Sequence, residues 1–131
     1  MLSPDELRER VAGYVEAVNS RDPDAIAARF TEDAVHADPV SNPPNLGRTA
    51  IATFFEHGIA ASDGWTFTAT AVHTCAPSVA VDFAITVDTA GSTMTIEGIE
   101  VFVADDEGCF RSAHAYWDEA DLTFGGEGRT R

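Results

Sequence analysis

Apolar residues follow a helical spacing early in the chain and a strand spacing later. The first stripe recurs three or four residues apart, at Leu7, Val11, Tyr14, Val15 and Val18. This spacing predicts an amphipathic helix. Its start is marked by Ser3 as N-cap, Pro4 in the first turn and Glu6 at the capping-box position. Asn19-Ser20-Arg21 is expected to end it.

Two more helices are predicted before residue 62. Asp22-Pro23 begins a short second helix, on which Ile26 and Phe30 are expected to face inward. The third helix is predicted from Thr49 to about Ala61, with its apolar stripe at Ile51, Phe54, Phe55 and Ile59. Between these helices, the stretch from Glu32 predicts a short strand that ends at Asp38-Pro39.

From Trp65 onward the hydrophobic period becomes two, which predicts strands. The first two strands carry Trp65, Phe67, Ala69 and Ala71, then Val79, Val81, Phe83, Ile85 and Val87. Two more are predicted at Thr93–Val103 and from Phe110 to about Asp118. This order predicts an α+β fold with three N-terminal helices packed on a strongly curved, mostly antiparallel sheet. We expect one domain over residues 1–124 and a mobile tail over residues 125–131.

Composition narrows the range of functions. The chain has 131 residues, 44% of them hydrophobic, and a formal net charge of -14. This charge argues against nucleic acid and against an anionic membrane surface as partners, because both attract Lys and Arg. Cys75 and Cys109 belong to no Cys/His cluster, so no metal site is predicted. The N-terminal segment MLSPDELRER lacks a signal-peptide pattern, and we expect a cytoplasmic protein with free thiols.

Three polar residues lie in apolar surroundings. Tyr14 belongs to the inward stripe of the first helix, and Asp38 ends an apolar strand. Glu100 shares a strand face with Ile96 and Phe102, whereas Glu97 lies on the opposite face. A buried carboxylate without a cation takes up a proton, because desolvation disfavours its charged form. The neutral acid could then donate a hydrogen bond.

Each of these residues also has a purely structural interpretation. Tyr14 could be a core residue with its hydroxyl at the rim. Glu100 could lie at an edge or pair with an Arg, and Asp38 could be a turn residue before Pro39. Trp117, which aligns with Ala113 and Ala115 on the last strand, could pack in the core or wall a pocket.

Four segments carry a resemblance to a known family over nearly the whole chain. They are YVEAVNSRDPDAIAARFTEDAVHADPV, NPPNLGRTAIATFFEHG, IEGIEVF and AHAYWDEADLT. In this order and spacing they resemble the ketosteroid isomerases (steroid Δ5-isomerases). That family lies within the fold group that resembles nuclear transport factor 2 and includes polyketide cyclases and scytalone dehydratases. The resemblance implies a cone-shaped fold with an apolar pocket, and a homodimer.

The resemblance also implies roles for individual residues. Asp38 matches the catalytic base, and Tyr14 matches the phenol that hydrogen-bonds the 3-oxo group of the substrate. Glu100 falls at the position of the second oxyanion donor, a carboxylic acid kept protonated, which is a worked example of pKa control in this family. The expected substrate-binding side chains are Trp117, Phe55, Phe83 and Phe102. The implied ligand is small and hydrophobic, and the implied reaction needs no metal or cofactor.

The chain departs from the family pattern in three places. Glu100 replaces the usual Asp, and a donor misplaced by about 1 Å could cost on the order of 100-fold in rate. His36 stands two residues before Asp38, where it could pair with Asp38 as a modulator or simply pack. Phe30 and Phe55 occupy positions where some members have tyrosines that support the oxyanion donor.

Three functions therefore stay open. The first is a steroid Δ5-isomerase-like enzyme acting on a 3-oxo-Δ5-steroid or a similar β,γ-unsaturated ketone. The second is another enzyme of the same fold, such as a polyketide cyclase or dehydratase, which a His36–Asp38 dyad would favour. The third is a non-catalytic protein that binds small hydrophobic ligands.

Overall fold

The structure is a computed structural model that describes residues 1–126. Along this part of the chain it has three α-helices and seven strands. The helices are α1 (Pro4–Ser20), α2 (Pro23–Ala27) and α3 (Arg48–Ala60). The strands are β1 (Phe30–Ala37), β2 (Asn45–Leu46), β3 (Gly64–Cys75), β4 (Ser78–Thr89), β5 (Ser92–Ala104), β6 (Phe110–Tyr116) and β7 (Leu122–Gly126), with a single 3-10 turn at Glu119–Asp121.

Helix α1 begins and ends as its sequence predicts. The Ser3 hydroxyl accepts a hydrogen bond from the Glu6 amide at 3.1 Å, and the Glu6 carboxylate accepts one from the Ser3 amide at 2.9 Å. This reciprocal pair satisfies two amides that the helix itself leaves unbonded. At the other end Arg21 takes the left-handed conformation, with φ of 56°. The predicted capping box is confirmed.

The sheet is mixed and strongly curved. Its strand order is β2-β1-β6-β5-β4-β3, and β1 with β6 is the parallel pair. Strand β5 has two partners along one edge, because β6 pairs with Ile99–Ala104 and β7 pairs with Ser92–Ile96. The helices cover the concave face, where α1 packs on β3 and α3 packs on β1. The predicted α+β architecture is confirmed.

Several predicted boundaries were wrong. Phe30 is buried as expected, but it is the first residue of β1 and not part of α2. Gly125 and Gly126, predicted to belong to a tail, end β7, whereas residues 127–131 lie outside the described part of the chain. Strands β2 and β7 were not predicted, because β2 has only two residues and β7 ends in two glycines.

A bulge in β3 also changes which side chains face the core. The pairing of β3 with β4 shifts between Ala69 and Ala71. One extra residue reverses the alternation that follows it. Val72 therefore packs against the core cluster, and the apolar alternation of Trp65, Phe67 and Ala69 does not continue to Ala71.

Candidate active site

A cavity of about 520 Å³ opens between the helices and the concave face of the sheet. Its volume lies in the range typical of small-molecule sites. The walls come from α1, α3, β3, β4 and β5, with Asp38 and Trp117 on one side. The lining residues are Tyr14, Val18, Asp38, Phe54, Phe55, His57, Gly58, Ala61, Ser62, Trp65, Phe67, Phe83, Ile85, Val87, Thr89, Met94, Ile96, Glu100 and Trp117.

Tyr14 lines this cavity and is 2% exposed. Four phenylalanine rings surround its ring in edge contacts, with centroid distances between 5.0 and 6.0 Å: Phe30, Phe67, Phe102 and Phe110. Such contacts fix the ring plane. Burial raises the pKa of Tyr14 well above its usual value, and the nearby Glu100 and Asp38 charges raise it further. The phenol therefore keeps its proton and can donate it in a hydrogen bond.

Glu100 faces the same cavity from the middle of β5 and is 3% exposed. Its Oε2 atom is buried and has no hydrogen-bond partner among the described residues. Burial raises the pKa of Glu100 well above its usual value, and the charge of Asp38 adds to the shift. Among residues 1–126, no Lys or Arg belongs to the cavity lining. Glu100 therefore matches a neutral acid better than an ion pair.

Asp38 follows β1 directly and is only partly buried. Its Oδ1 atom accepts a hydrogen bond of 2.7 Å from the Trp117 indole nitrogen. Burial raises the pKa of Asp38, whereas the Trp117 hydrogen bond lowers it. The bond favours the ionised form of Asp38, and within the described part of the chain no comparable bond stabilises an ionised Glu100.

The cavity brings together most of the predicted site residues. Asp38, Tyr14, Glu100 and Trp117 all line it, as do Phe55 and Phe83. Phe102 does not line it, so its predicted contact with substrate stays a prediction that the cavity lining does not support. Its ring lies beside Tyr14, with centroids 5.0 Å apart, and is 1% exposed. Phe102 belongs to the buried hydrophobic core.

His36 is not paired with Asp38. Its Nδ1 atom lies 3.1 Å from the Asn45 side-chain amide, and its Nε2 atom has no hydrogen-bond partner among the described residues. The ring packs at 4.9 Å from Phe54 and 5.4 Å from Phe55, measured between centroids. The hypothesis of a His36–Asp38 dyad was therefore wrong. His36 thus contacts Phe54 and Phe55, which line the cavity.

Sequence reasoning missed several wall residues, of which Trp65, Phe67 and Phe54 are the largest. Trp65 and Phe67 were on the predicted apolar faces, but alternation alone does not separate a cavity wall from a filled core. The Trp65 indole donates to the Val18 carbonyl at 2.7 Å, which joins β3 to the end of α1. Arg21 lies over the Trp65 ring, with its guanidinium carbon 4.8 Å from the centroid.

The arrangement suits proton transfer on an apolar ligand. One carboxylate is held by an indole hydrogen bond, and two buried groups, a phenol and a carboxylic acid, can donate hydrogen bonds. Within residues 1–126, no cluster of three or more His, Cys, Asp or Glu side chains could hold a metal ion. None of the helices in that range is long and apolar enough to cross a membrane.

Comparisons with known proteins agree with this geometry. The model of the SnoaL-like domain family matches residues 11–111. A steroid Delta-isomerase from Nocardioides simplex is 33% identical over 117 residues, which span 89% of this chain and 94% of the relative. The resemblance to steroid isomerases is thus confirmed at the level of the family.

Two solved structures have the same fold. One is SalBIII, described as an epoxide hydrolase/cyclase-like enzyme with a role in pyran ring formation in the polyether salinomycin. It superposes with a TM-score of 0.86 at 29% identity, over 97% of this chain and all of that one. The other is RV0760c from Mycobacterium tuberculosis, with a TM-score of 0.83 at 22% identity, over 95% of this chain and all of that one.

Proposed function

The chain belongs to the SnoaL-like domain family, and on that premise we propose that it is a steroid Δ5-isomerase-like enzyme. The proposed reaction moves the double bond of a 3-oxo-Δ5-steroid, or of a similar β,γ-unsaturated ketone, into conjugation with the carbonyl. One observation carries the proposal. Two carboxyl groups face a single apolar cavity. Asp38 has a hydrogen bond that favours its ionised form, whereas the buried Oε2 atom of Glu100 has no partner among residues 1–126.

In the proposed mechanism Asp38 acts as the base. A proton on the carbon between the carbonyl and the double bond is acidic, and the Asp38 carboxylate removes it. The electron pair moves into the conjugated system and leaves negative charge on the carbonyl oxygen, as a dienolate. Protonated Asp38 then returns the same proton to the far end of the original double bond. The substrate and product have the same atoms, and the enzyme ends as it began.

Tyr14 and Glu100 would stabilise the dienolate oxygen. Hydrogen-bond donors aimed at developing charge in a dry site contribute more than they do in water. Burial keeps the proton on both groups, because it raises both pKa values. Asp38 is partly exposed and bonded to Trp117, so it can ionise at the pH at which Glu100 stays neutral. Base and donors thus occupy different environments, as acid–base catalysis requires.

Absorbance spectroscopy tests this proposal. Conjugation gives the product an ultraviolet chromophore that a Δ5-3-oxosteroid lacks, so turnover appears as rising absorbance. We expect turnover by the wild type and none by Asp38→Asn, with ligand binding retained in the variant. If the wild type binds steroid without an absorbance change, the chain is a binding protein and the isomerase proposal fails. Loss of binding and turnover together in Asp38→Asn would mean that Asp38 is structural.

A second candidate function is supported by the same carboxyl pair. A neutral acid and a carboxylate in one cavity could together open an epoxide, with Glu100 protonating the departing oxygen and Asp38 deprotonating an attacking hydroxyl. They could also remove water from an alcohol, with Glu100 protonating the departing hydroxyl and Asp38 taking the proton from the neighbouring carbon. The likeness to an epoxide hydrolase/cyclase-like enzyme supports this class. To distinguish the two functions, the protein is incubated with a hydroxy-epoxide. Cyclisation would give a product of the same mass but a different chromatographic retention time, and this result would support the second candidate over isomerisation of a ketone.

We further propose a homodimer that forms through the outer face of the sheet. Ile99 on β5 and Tyr116 on β6 are paired on that face and are 46% and 51% exposed. Burial of this apolar pair against a second copy would stabilise association. Sedimentation of the wild type should give twice the monomer mass, and Ile99→Lys should give the monomer. A monomeric wild type would refute it.

A single domain over residues 1–124 and a cytoplasmic location also stay proposals.

A further inference from the structure

Gly98 lies on β5 between the residues that pair with β6 and those that pair with β7. Tyr116, the last residue of β6, pairs with Ile99, and Leu122 at the start of β7 pairs with Ile96. Between these two pairs, residues 117–121 leave the sheet opposite Glu97 and Gly98. Trp117 is the first residue of this excursion, and its indole reaches Asp38.

The space that a side chain at position 98 would need is already occupied. A Cβ atom there would lie 2.7 Å from the Tyr116 carbonyl oxygen, 3.1 Å from the Trp117 Cβ and 3.1 Å from the Phe83 Cζ. The carbonyl would have to retreat by at least about 0.3 Å, and Cβ atoms essentially never approach closer than 3.0 Å. Two of the three neighbouring atoms belong to residues 116 and 117. A side chain at position 98 would therefore displace the segment that carries the indole.

We propose that Gly98 is a positioning residue for the base: its missing side chain lets Trp117 lie close enough to β5 to donate its hydrogen bond to Asp38. The catalytic role of this bond rests on the proposed function, whereas the bond itself is seen in the structure. A hydrogen bond of 2.7 Å to a carboxylate weakens when donor and acceptor separate by a few tenths of an ångström. Weakening it removes the interaction that favours ionised Asp38.

Other titratable groups near Asp38 also influence its ionisation. Glu100 from β5 and Tyr14 from α1 both interact electrostatically with Asp38. His36, two residues earlier on β1, is bonded to Asn45 and not to Asp38. None of these groups supplies one of the three atoms nearest to a Cβ at position 98, whereas Trp117 does. We therefore expect the substitution to act on Asp38 through Trp117.

Nuclear magnetic resonance can follow this bond without any substrate. The chain has two tryptophans, so two indole N–H signals are expected. Trp65 donates to a backbone carbonyl and serves as an internal reference, whereas the Trp117 signal should titrate with Asp38. Trp117→Phe identifies the signal, and Asp38→Asn should abolish its titration. In Gly98→Ala we expect the signal to move upfield and its titration midpoint to rise by about one pH unit.

The matched control is Gly64→Ala, also in a strand, where a Cβ would meet only the Asp88 carboxylate, at an ordinary 3.6 Å. It should leave the signal and the midpoint at their wild-type values. If Gly98→Ala does not fold, Gly98→Ala/Phe83→Leu relieves one contact and is measured instead. An unchanged signal and midpoint, or failure of both Gly98 variants to fold, overturns the proposal. A protein without isomerase activity that still shows the shift refutes the proposed function and leaves the Gly98 proposal standing.

Discussion

His36 makes the stability of this fold depend on pH. The ring is fully buried on β1 among Phe30, Phe54 and Phe55. Burial lowers the pKa of His36 from 6.5 to about 4, and the nearby His114 contributes to the shift. The unfolded chain therefore binds a proton on His36 at a higher pH than the folded chain does.

The size of the effect follows from the two pKa values. Between about pH 6.5 and 4 the unfolded state carries the proton and the folded state does not, so stability falls as pH falls through this window. The interval of about 2.5 pH units corresponds to about 3 kcal/mol at roughly 1.4 kcal/mol per unit. Below about pH 4 both states are protonated and His36 adds no further dependence.

Urea unfolding at several pH values measures this dependence. The matched variant is His36→Gln, which keeps a hydrogen-bond acceptor for Asn45 but does not titrate. The difference in unfolding free energy between wild type and variant should shift by about 3 kcal/mol against the wild type between about pH 7.5 and pH 4. Other titrating groups are common to both proteins and cancel. A difference that stays constant over this range would show that His36 is not held neutral by burial.

Three further predictions concern single side chains. Tyr14→Phe should lower kcat by about 100- to 1000-fold with little change in stability, because it removes one donor to the dienolate; an unchanged kcat would exclude the oxyanion role. Trp117→Phe should raise the pKa of Asp38 and move the acid limb of the kcat/KM profile upward by about one pH unit, and a stationary limb would contradict this. Ser3→Ala should cost about 1 kcal/mol in urea unfolding, because it leaves the Glu6 amide without its cap, whereas activity should not change.

Hydrophobic period and capping residues were sufficient to predict the main elements. Ser3 and Glu6 marked the start of α1, and the alternation from Val79 to Val87 predicted the inward face of β4. Local patterns failed where a residue's position depends on pairing with distant strands. Phe30 fits a helical stripe, but it pairs with Phe110 in the parallel ladder of β1 and β6.

For the candidate site, the sequence predicted which face a side chain lies on but not its depth. Glu100 and Phe102 share a face of β5, yet only Glu100 lines the cavity, whereas the Phe102 ring packs beside Tyr14 in the core. The bond between Trp117 and Asp38 joins residues 79 positions apart, and no local pattern signals it. His36 was placed beside Asp38, but its partner is Asn45, across the ladder of β1 and β2.

Infrared spectroscopy of the free protein at neutral pH asks most directly whether the two carboxyl groups differ in protonation. The difference spectrum between wild type and Glu100→Gln should contain the carbonyl stretch of a neutral carboxylic acid, and the spectrum against Asp38→Asn should contain the stretches of a carboxylate. Carboxylate bands in the Glu100 difference spectrum would contradict the account, because an ionised Glu100 could not donate a hydrogen bond to the substrate oxygen.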